Sequence, residues 1–243
     1  MKTRSLFAAL LATSLTSIAH ASVDDVLQQL HTRGKDLKTL AADVTLKTAD
    51  TGLGDPDWDT RTGTIVVQRT DDADTRVRAT FTKRQRGKRV DDARKEFVLD
   101  GEKLIERDYQ EKRQVTRIVR KPGEKLDLFK LGEGPFPLPI GQPPEDVKKE
   151  FDVKVAKPTD VDPSLTYIEL SPKPGRPIAD KFTYVLVGVN KDGWPAFVET
   201  LDKNGTNTTR AELSNIRTNA DVDPKVFDLE PIGDDWKKFD GSY

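Results

Sequence analysis

Chemistry that needs a nucleophile, a base or a metal has few residues to draw on in this chain. There is no cysteine, and the only histidines are His20 and His31. His20 falls in a leader described below, and His31 alone does not make a transition-metal site. Asp55, Asp57 and Asp59 stand at alternate positions, as in a calcium loop. Thr60 occupies the sixth position where such a loop needs glycine, and Val66 stands where its bidentate glutamate belongs, which argues against calcium. No G-x-S-x-G elbow, Walker loop or G-x-G-x-x-G occurs. With 41 acidic residues, carboxylate pairs arise by chance, and a carboxylate-only hydrolase would need a pair that the fold brings together. Asn204-Gly205-Thr206 and Asn207-Thr208-Thr209 match the glycosylation pattern, but Asn204-Gly205 reads better as a turn. The expectation is a binding protein rather than an enzyme, with no catalytic residue, no metal and no cofactor.

Composition narrows the setting. Lys2 and Arg4 precede an apolar run over 6–18 and the small-residue site Ala19-His20-Ala21, which reads as a signal peptide over 1–21. Residues 22–243 then form one domain in an exported, periplasm-like compartment. Without cysteine there is no disulfide and no residue to carry a lipid anchor, so a soluble product is expected, and no second long apolar run suggests a membrane span. The formal net charge is −1, and loss of Lys2 and Arg4 makes it more negative. That balance argues against nucleic acid as a partner. Acids and bases interleave across the 33% of residues that are charged, as on a well-solvated surface.

The elements that must position any site read as a hairpin meander. Residues 181–217 give three antiparallel strands broken at Asp192-Gly193 and Asn204-Gly205, dipeptides that supply the positive φ angles of tight turns. The first of these strands is apolar on both faces, so both should be covered. Upstream, Ser22 is an N-cap with Asp24 and Asp25 in the first turn. Val23, Val26, Leu27, Leu30, Leu37, Leu40, Ala41 and Val44 then follow at helical spacing, interrupted by Gly34. A loop over 49–62 leads to strands at 63–69, 76–81, 96–99, 103–109 and 114–120, about five joined by short connections. The charged stretch 83–94 reads as a solvated hairpin tip or a surface for an anionic partner. Residues 126–144 hold Phe129, Phe136, Leu138 and Ile140 among prolines and glycines, which fits neither a central strand nor a helix. That segment reads equally as a pinned crossing loop or as a lid. A short helix over 144–151, strands near Val153 and at 165–171, a turn at Asp223-Pro224 and a polar tail from Gly233 complete the chain. Short connections mean an α+β fold with one antiparallel sheet, not βαβ units.

The order of these motifs carries a resemblance: an amphipathic helix ending in Leu40-Ala41-Ala42-Asp43-Val44-Thr45, a glycine-led strand ending in a basic residue, and an apolar-Asp-Gly-Glu-Lys-Leu hairpin. A helix-and-loop insertion, Phe182-Thr183 and Asp223-Pro224-Lys225-Val226-Phe227 complete it. The sequence resembles the periplasmic outer-membrane lipoprotein carriers, the LolA-like proteins. The resemblance implies a half-open β-barrel whose concave apolar face is covered by helices and the Pro/Gly-rich loop. It implies a periplasmic carrier that shelters acyl chains of a lipoprotein or lipid for delivery to the outer membrane. The implied partners are acylated cargo, an inner-membrane donor and an outer-membrane acceptor, with the carrier acting as a monomer. The alternative is a regulatory module on the same fold that senses an envelope protein or lipid and moves nothing. In the family a basic residue ending the glycine-led strand holds the lid closed, and Arg69 matches that position, although Thr70 replaces the usual proline and Val66 the aromatic within the strand. Alternation selects the lining of the cavity: Val77, Ala79 and Phe81; Phe97 and Leu99; Phe182, Tyr184 and Leu186. The lid side would be Leu27, Leu30, Phe129, Phe136, Leu138 and Ile140.

Overall fold

The computed structural model describes residues 22–51, 56–70, 74–120 and 140–242. Helix α1 (Val23–Lys35) starts at Ser22, whose hydroxyl accepts from the Asp25 amide at 3.2 Å while Asp25 accepts from the Ser22 amide at 3.1 Å. This reciprocal cap satisfies donors that the first turn would otherwise leave unpaired.

Six strands follow: β1 (Thr39–Asp50), β2 (Asp59–Arg69), β3 (Thr75–Arg86), β4 (Arg89–Asp100), β5 (Lys103–Asp108) and β6 (Arg113–Ile118). Helix α2 (Pro144–Glu150) leads to β7 (Phe151–Ala156), β8 (Thr166–Pro172), β9 (Phe182–Val189), β10 (Pro195–Asp202) and β11 (Asn207–Thr218), and β12 (Lys237–Ser242) ends the chain. All twelve join one sheet in the order β12-β6-β5-β4-β3-β2-β1-β11-β10-β9-β8-β7. Its pairings are antiparallel except β12 on β6, and β12 and β7 stand at opposite ends of an open sheet. The expected α+β class and antiparallel meander are therefore what the chain forms.

Four local expectations are corrected. The helix stops at Lys35 rather than running to Val44, and Leu40, Ala42 and Val44 point to one face of a strand. The set 37, 40, 41 and 44 follows the helical period, whereas Leu40, Ala42 and Val44 follow the period of two, and β1 is held as a strand by partners on both sides, β2 and β11. Residues 49–50 and 59–62 of the supposed loop belong to β1 and β2, and with β1 six strands precede residue 120 among the described residues instead of about five. The polar tail supplies β12, anchored where Trp236 meets the ring of Tyr109 edge-on at 5.1 Å.

Gly63 lies inside β2 rather than leading it. A Cβ there would sit 1.9 Å from the Thr80 carbonyl oxygen, at the register shift between β2 and β3, so only glycine lets the two backbones approach. On the sheet, α1 and α2 lie against β7 and β8. Leu27 and Leu30 are fully buried there among Ile168, Leu170, Val185, Val187 and Val198.

Candidate functional site

Register makes one face of the sheet apolar from β8 to β5. Directly paired residues share a face. Ile168 lies opposite Val187, and Val187 opposite Val198. Val198 faces Ala211, Leu213 faces Val44, and Leu40 and Ala42 face Val67 and Ile65. Those two face Val77 and Ala79, which face Leu99 and Phe97. Leu104 continues the row on β5. Helix α1 seals the β8–β10 half. On the β1–β5 half Phe81 and Phe97 meet edge-on with centroids 6.2 Å apart, and Ile65, Val77, Phe97, Leu104 and Leu213 are half-buried. This half is the candidate binding floor.

Between the two halves the helix end is clamped. Ile140 is 1% exposed and packs on Leu37, Leu40, Ala42 and Val67. The Gly141 amide donates to the Leu30 carbonyl at 3.1 Å, and His31 Nδ1 lies 3.0 Å from the Gly141 carbonyl. Arg69 Nη1 donates to the Gly34 carbonyl at 3.4 Å. The Gly34 carbonyl also accepts from the Leu37 amide at 3.2 Å, so the Arg69 and Gly141 donors add to the bonds of the helix backbone at this end.

Beyond Phe81 and Phe97 the same face turns charged. Arg61 lies opposite Leu46 and Arg84, Lys95 opposite Phe81, and Glu106 opposite Phe97. Lys95 and Arg117 reach Glu106 at 2.6 and 3.0 Å, and both oxygens of Asp59 hold Arg84. Burial pushes the Glu106 carboxyl up, but Lys95 and Arg117 outweigh it and hold it below the ordinary range. A polar pocket of about 460 Å³ adjoins this end, lined by Thr48, Asp57, Asp59, Arg86 and Thr209 among others.

The opposite face carries the buried carboxylates. Glu96 is 1% exposed and accepts from Arg78 at 2.8 Å, Arg94 at 2.8 Å and Tyr109 at 2.8 Å. Burial raises its pKa, and these donors together pull it below the usual glutamate value. Glu199 accepts from Arg210 at 2.8 Å and Tyr184 at 2.7 Å, and burial with that carboxylate pushes the Tyr184 phenol far up. Arg78 also donates to the carbonyls of Val226 and Asp228, and Arg107 to that of Glu230, which straps the C-terminal segment to this face. A groove of about 430 Å³ runs beside the strap over Val66, Thr80 and Arg94. Each of these two carboxylates is matched by arginine rather than by a second carboxylate, the arrangement of a structural ion pair. No group of His, Asp and Glu suited to a metal occurs among the described residues.

The residues selected by alternation fall into several places. Val77, Ala79, Phe81, Phe97 and Leu99 share the floor, Ile140 docks beside it, and Leu27 and Leu30 lie under α1 in the sealed half. Tyr184 and Leu186 stand on the other face, packed with Tyr167, Phe197 and Leu165, while Val185 and Val187 point to α1. A register shift between Leu201 and Asp202 separates Phe182 from Tyr184 and leaves Phe182 against the α1 cluster. Phe129, Phe136 and Leu138 lie outside the described residues. Ile65, Leu104, Leu213 and Arg61 were missed; the alternation of Leu104 and Glu106 was visible, but the face they share with Phe97 was not.

A search of curated proteins finds no match. Several solved structures are similar at low identity. A chain of the Pseudomonas aeruginosa MucA/MucB complex is 14% identical with a TM-score of 0.43, over 85% of this chain and 60% of that one. This chain thus spans about 60% of the length of that relative. The Mycobacterium tuberculosis lipoprotein LppX is 11% identical with a TM-score of 0.44, covering 83% and 99% of the two chains. A LolA superfamily protein from Nitrosomonas europaea is 10% identical with a TM-score of 0.38, covering 86% and 98%. At this similarity none of the three bears on function. The family model described as outer membrane lipoprotein carrier protein LolA matches residues 91–230, more than half of the sequence, and the chain belongs to that family.

Proposed function

We propose that this chain is a periplasmic carrier that shelters acyl chains of a lipoprotein or lipid on the floor formed by Val77, Ala79, Phe81, Phe97 and Leu99, for delivery toward the outer membrane. The observation that supports this reading is the asymmetric cover of one continuous apolar face. Helix α1, with Val147 and Ile178, buries the β8–β10 half, whereas on the other half Val67, Ala79, Phe81 and Leu99 are buried but Ile65, Val77, Phe97 and Leu104, with Leu213 of the adjoining β11, are only half-buried. An acyl chain leaving water gains about 0.8 kcal/mol per buried methylene, so a floor of this kind holds it without chemistry. Release then requires an acceptor that binds the chain better, or a state of the carrier that binds it worse.

Native mass spectrometry of protein purified from its own envelope, with organic extraction of what co-purifies, tests the proposal. Bound acylated species that denaturation releases, and that are lost in Val77→Asp and in Leu104→Gln, support it. Thermal melting of both variants controls for folding. A clean apo mass with no uptake of added lipopeptide overturns it and favours a sensing module on the same fold.

A further inference from the structure

At the charged end of the floor the cations are matched unequally. Arg84 and Arg86 share Asp59, and Lys95 and Arg117 share Glu106. Arg61 has neither: among the described residues it makes no hydrogen bond and no ion pair. Yet it is half-buried on β2, directly opposite the floor residue Leu46. Burial pushes its pKa down and Arg84 adds to this, while Asp59, Asp108 and Glu106 act in the other direction. Those groups sit on β2, β3 and β5 in register with the floor, so the Arg61 guanidinium faces the same side. Across β1–β6 the residues in register on this face are the cations Arg61, Arg84, Arg86, Arg89, Lys95, Arg113 and Arg117 and the acids Asp50, Asp59, Asp91, Glu106 and Asp108, seven to five. A partly desolvated guanidinium without a partner is unfavourable to leave unmatched, and its planar fork suits the two oxygens of a carboxylate or phosphate.

The geometry points to an anionic amphiphile as ligand, its acyl chain lying along Phe81 and Phe97 and its carboxylate or phosphate held by Arg61. This rests on the lipid-carrier reading above and adds to it the charge of the headgroup.

Binding of a long-chain fatty acid and of its methyl ester to the mature chain separates the two claims. The acid should bind at least about tenfold more tightly than the ester, the increment of one charge-assisted hydrogen bond. Arg61→Gln should abolish that preference while leaving ester affinity unchanged, and Arg61→Lys should restore part of it. Relieved of an unmatched cation, Arg61→Gln should also melt higher than the parent without ligand. Inorganic phosphate should not displace the acid, because a free anion gains nothing from the floor. Displacement by phosphate would make this a site for a free anion and overturn the amphiphile. Equal binding of acid and ester, or an equal loss of both in Arg61→Gln, overturns the headgroup assignment and leaves the carrier reading standing. Binding of neither probe overturns the carrier reading and this inference with it.

Discussion

Replacing Gly34 by alanine sets helix propensity against packing. Gly34 is in the last turn of α1, where alanine is ordinarily better than glycine by about 1 kcal/mol. Here the added Cβ would lie 2.2 Å from the Gly141 nitrogen and 2.2 Å from Ile140 Cγ2, where carbon contacts need about 3.5 Å or more. The helix cannot yield, because Leu27 and Leu30 are buried beneath it, so the 140–141 segment must move by about 1 Å or more. That movement strains the Gly141 amide bond to Leu30 and the His31 contact with the Gly141 carbonyl, each a hydrogen bond of about 1 kcal/mol. It also lifts Ile140 from its seat, forfeiting part of the about 2–3 kcal/mol of a buried isoleucine. Against the propensity gain, the net expectation is a loss of about 2–3 kcal/mol. For a chain of this length that lowers Tm by about 5–10 °C. Circular dichroism melts measure it, and hydrogen exchange at the Gly141 amide locates it. An unchanged or higher Tm, or full protection of that amide, would refute the clamp described for the helix end.

Two further outcomes follow from named contacts. Arg69→Leu removes one donor to the Gly34 carbonyl, which keeps the Leu37 amide, and is expected to speed exchange of bound ligand with little change in Tm; normal uptake and release would remove the latch role from Arg69. Glu96 and Glu106 have folded pKa values below the ordinary glutamate value of about 4.3, so their contribution is present in full above that pH. It is lost as pH falls through the lowered folded values, and Glu96→Gln should flatten this acid limb in pH-dependent urea melts. At neutral pH the same variant should lose about 3 kcal/mol, the lower end for a broken buried pair because Arg94 is partly exposed. A wild-type acid limb in that variant would show that Glu96 does not carry it.

What the amino-acid sequence determined by itself is the part of this protein set by neighbours in the chain. Ser22 and Asp25 cap each other, and Asp192-Gly193 and Asn204-Gly205 turn with glycine φ of +80° and +70°, because the partners lie within a few residues. The want of cysteine and the near want of histidine pointed away from metal chemistry for the same reason: composition needs no fold. Only the tertiary structure decided which face of each strand became the floor. Strand β9 alternates Tyr184 and Leu186 with Val185 and Val187, and period two labels two faces without saying which receives the helix. Leu40 and Val44 join Ala41 at helical spacing and Ala42 at strand spacing, and the pairing of β2 and β11 on either side decides for the strand. Arg61 is ordinary in sequence, and its unmatched charge exists only because register sets it beside Leu46 while Asp59 is taken by Arg84 and Arg86. Pairing across strands is a long-range choice, made by the burial of whole faces rather than by any single residue, and it is there that the candidate site was decided.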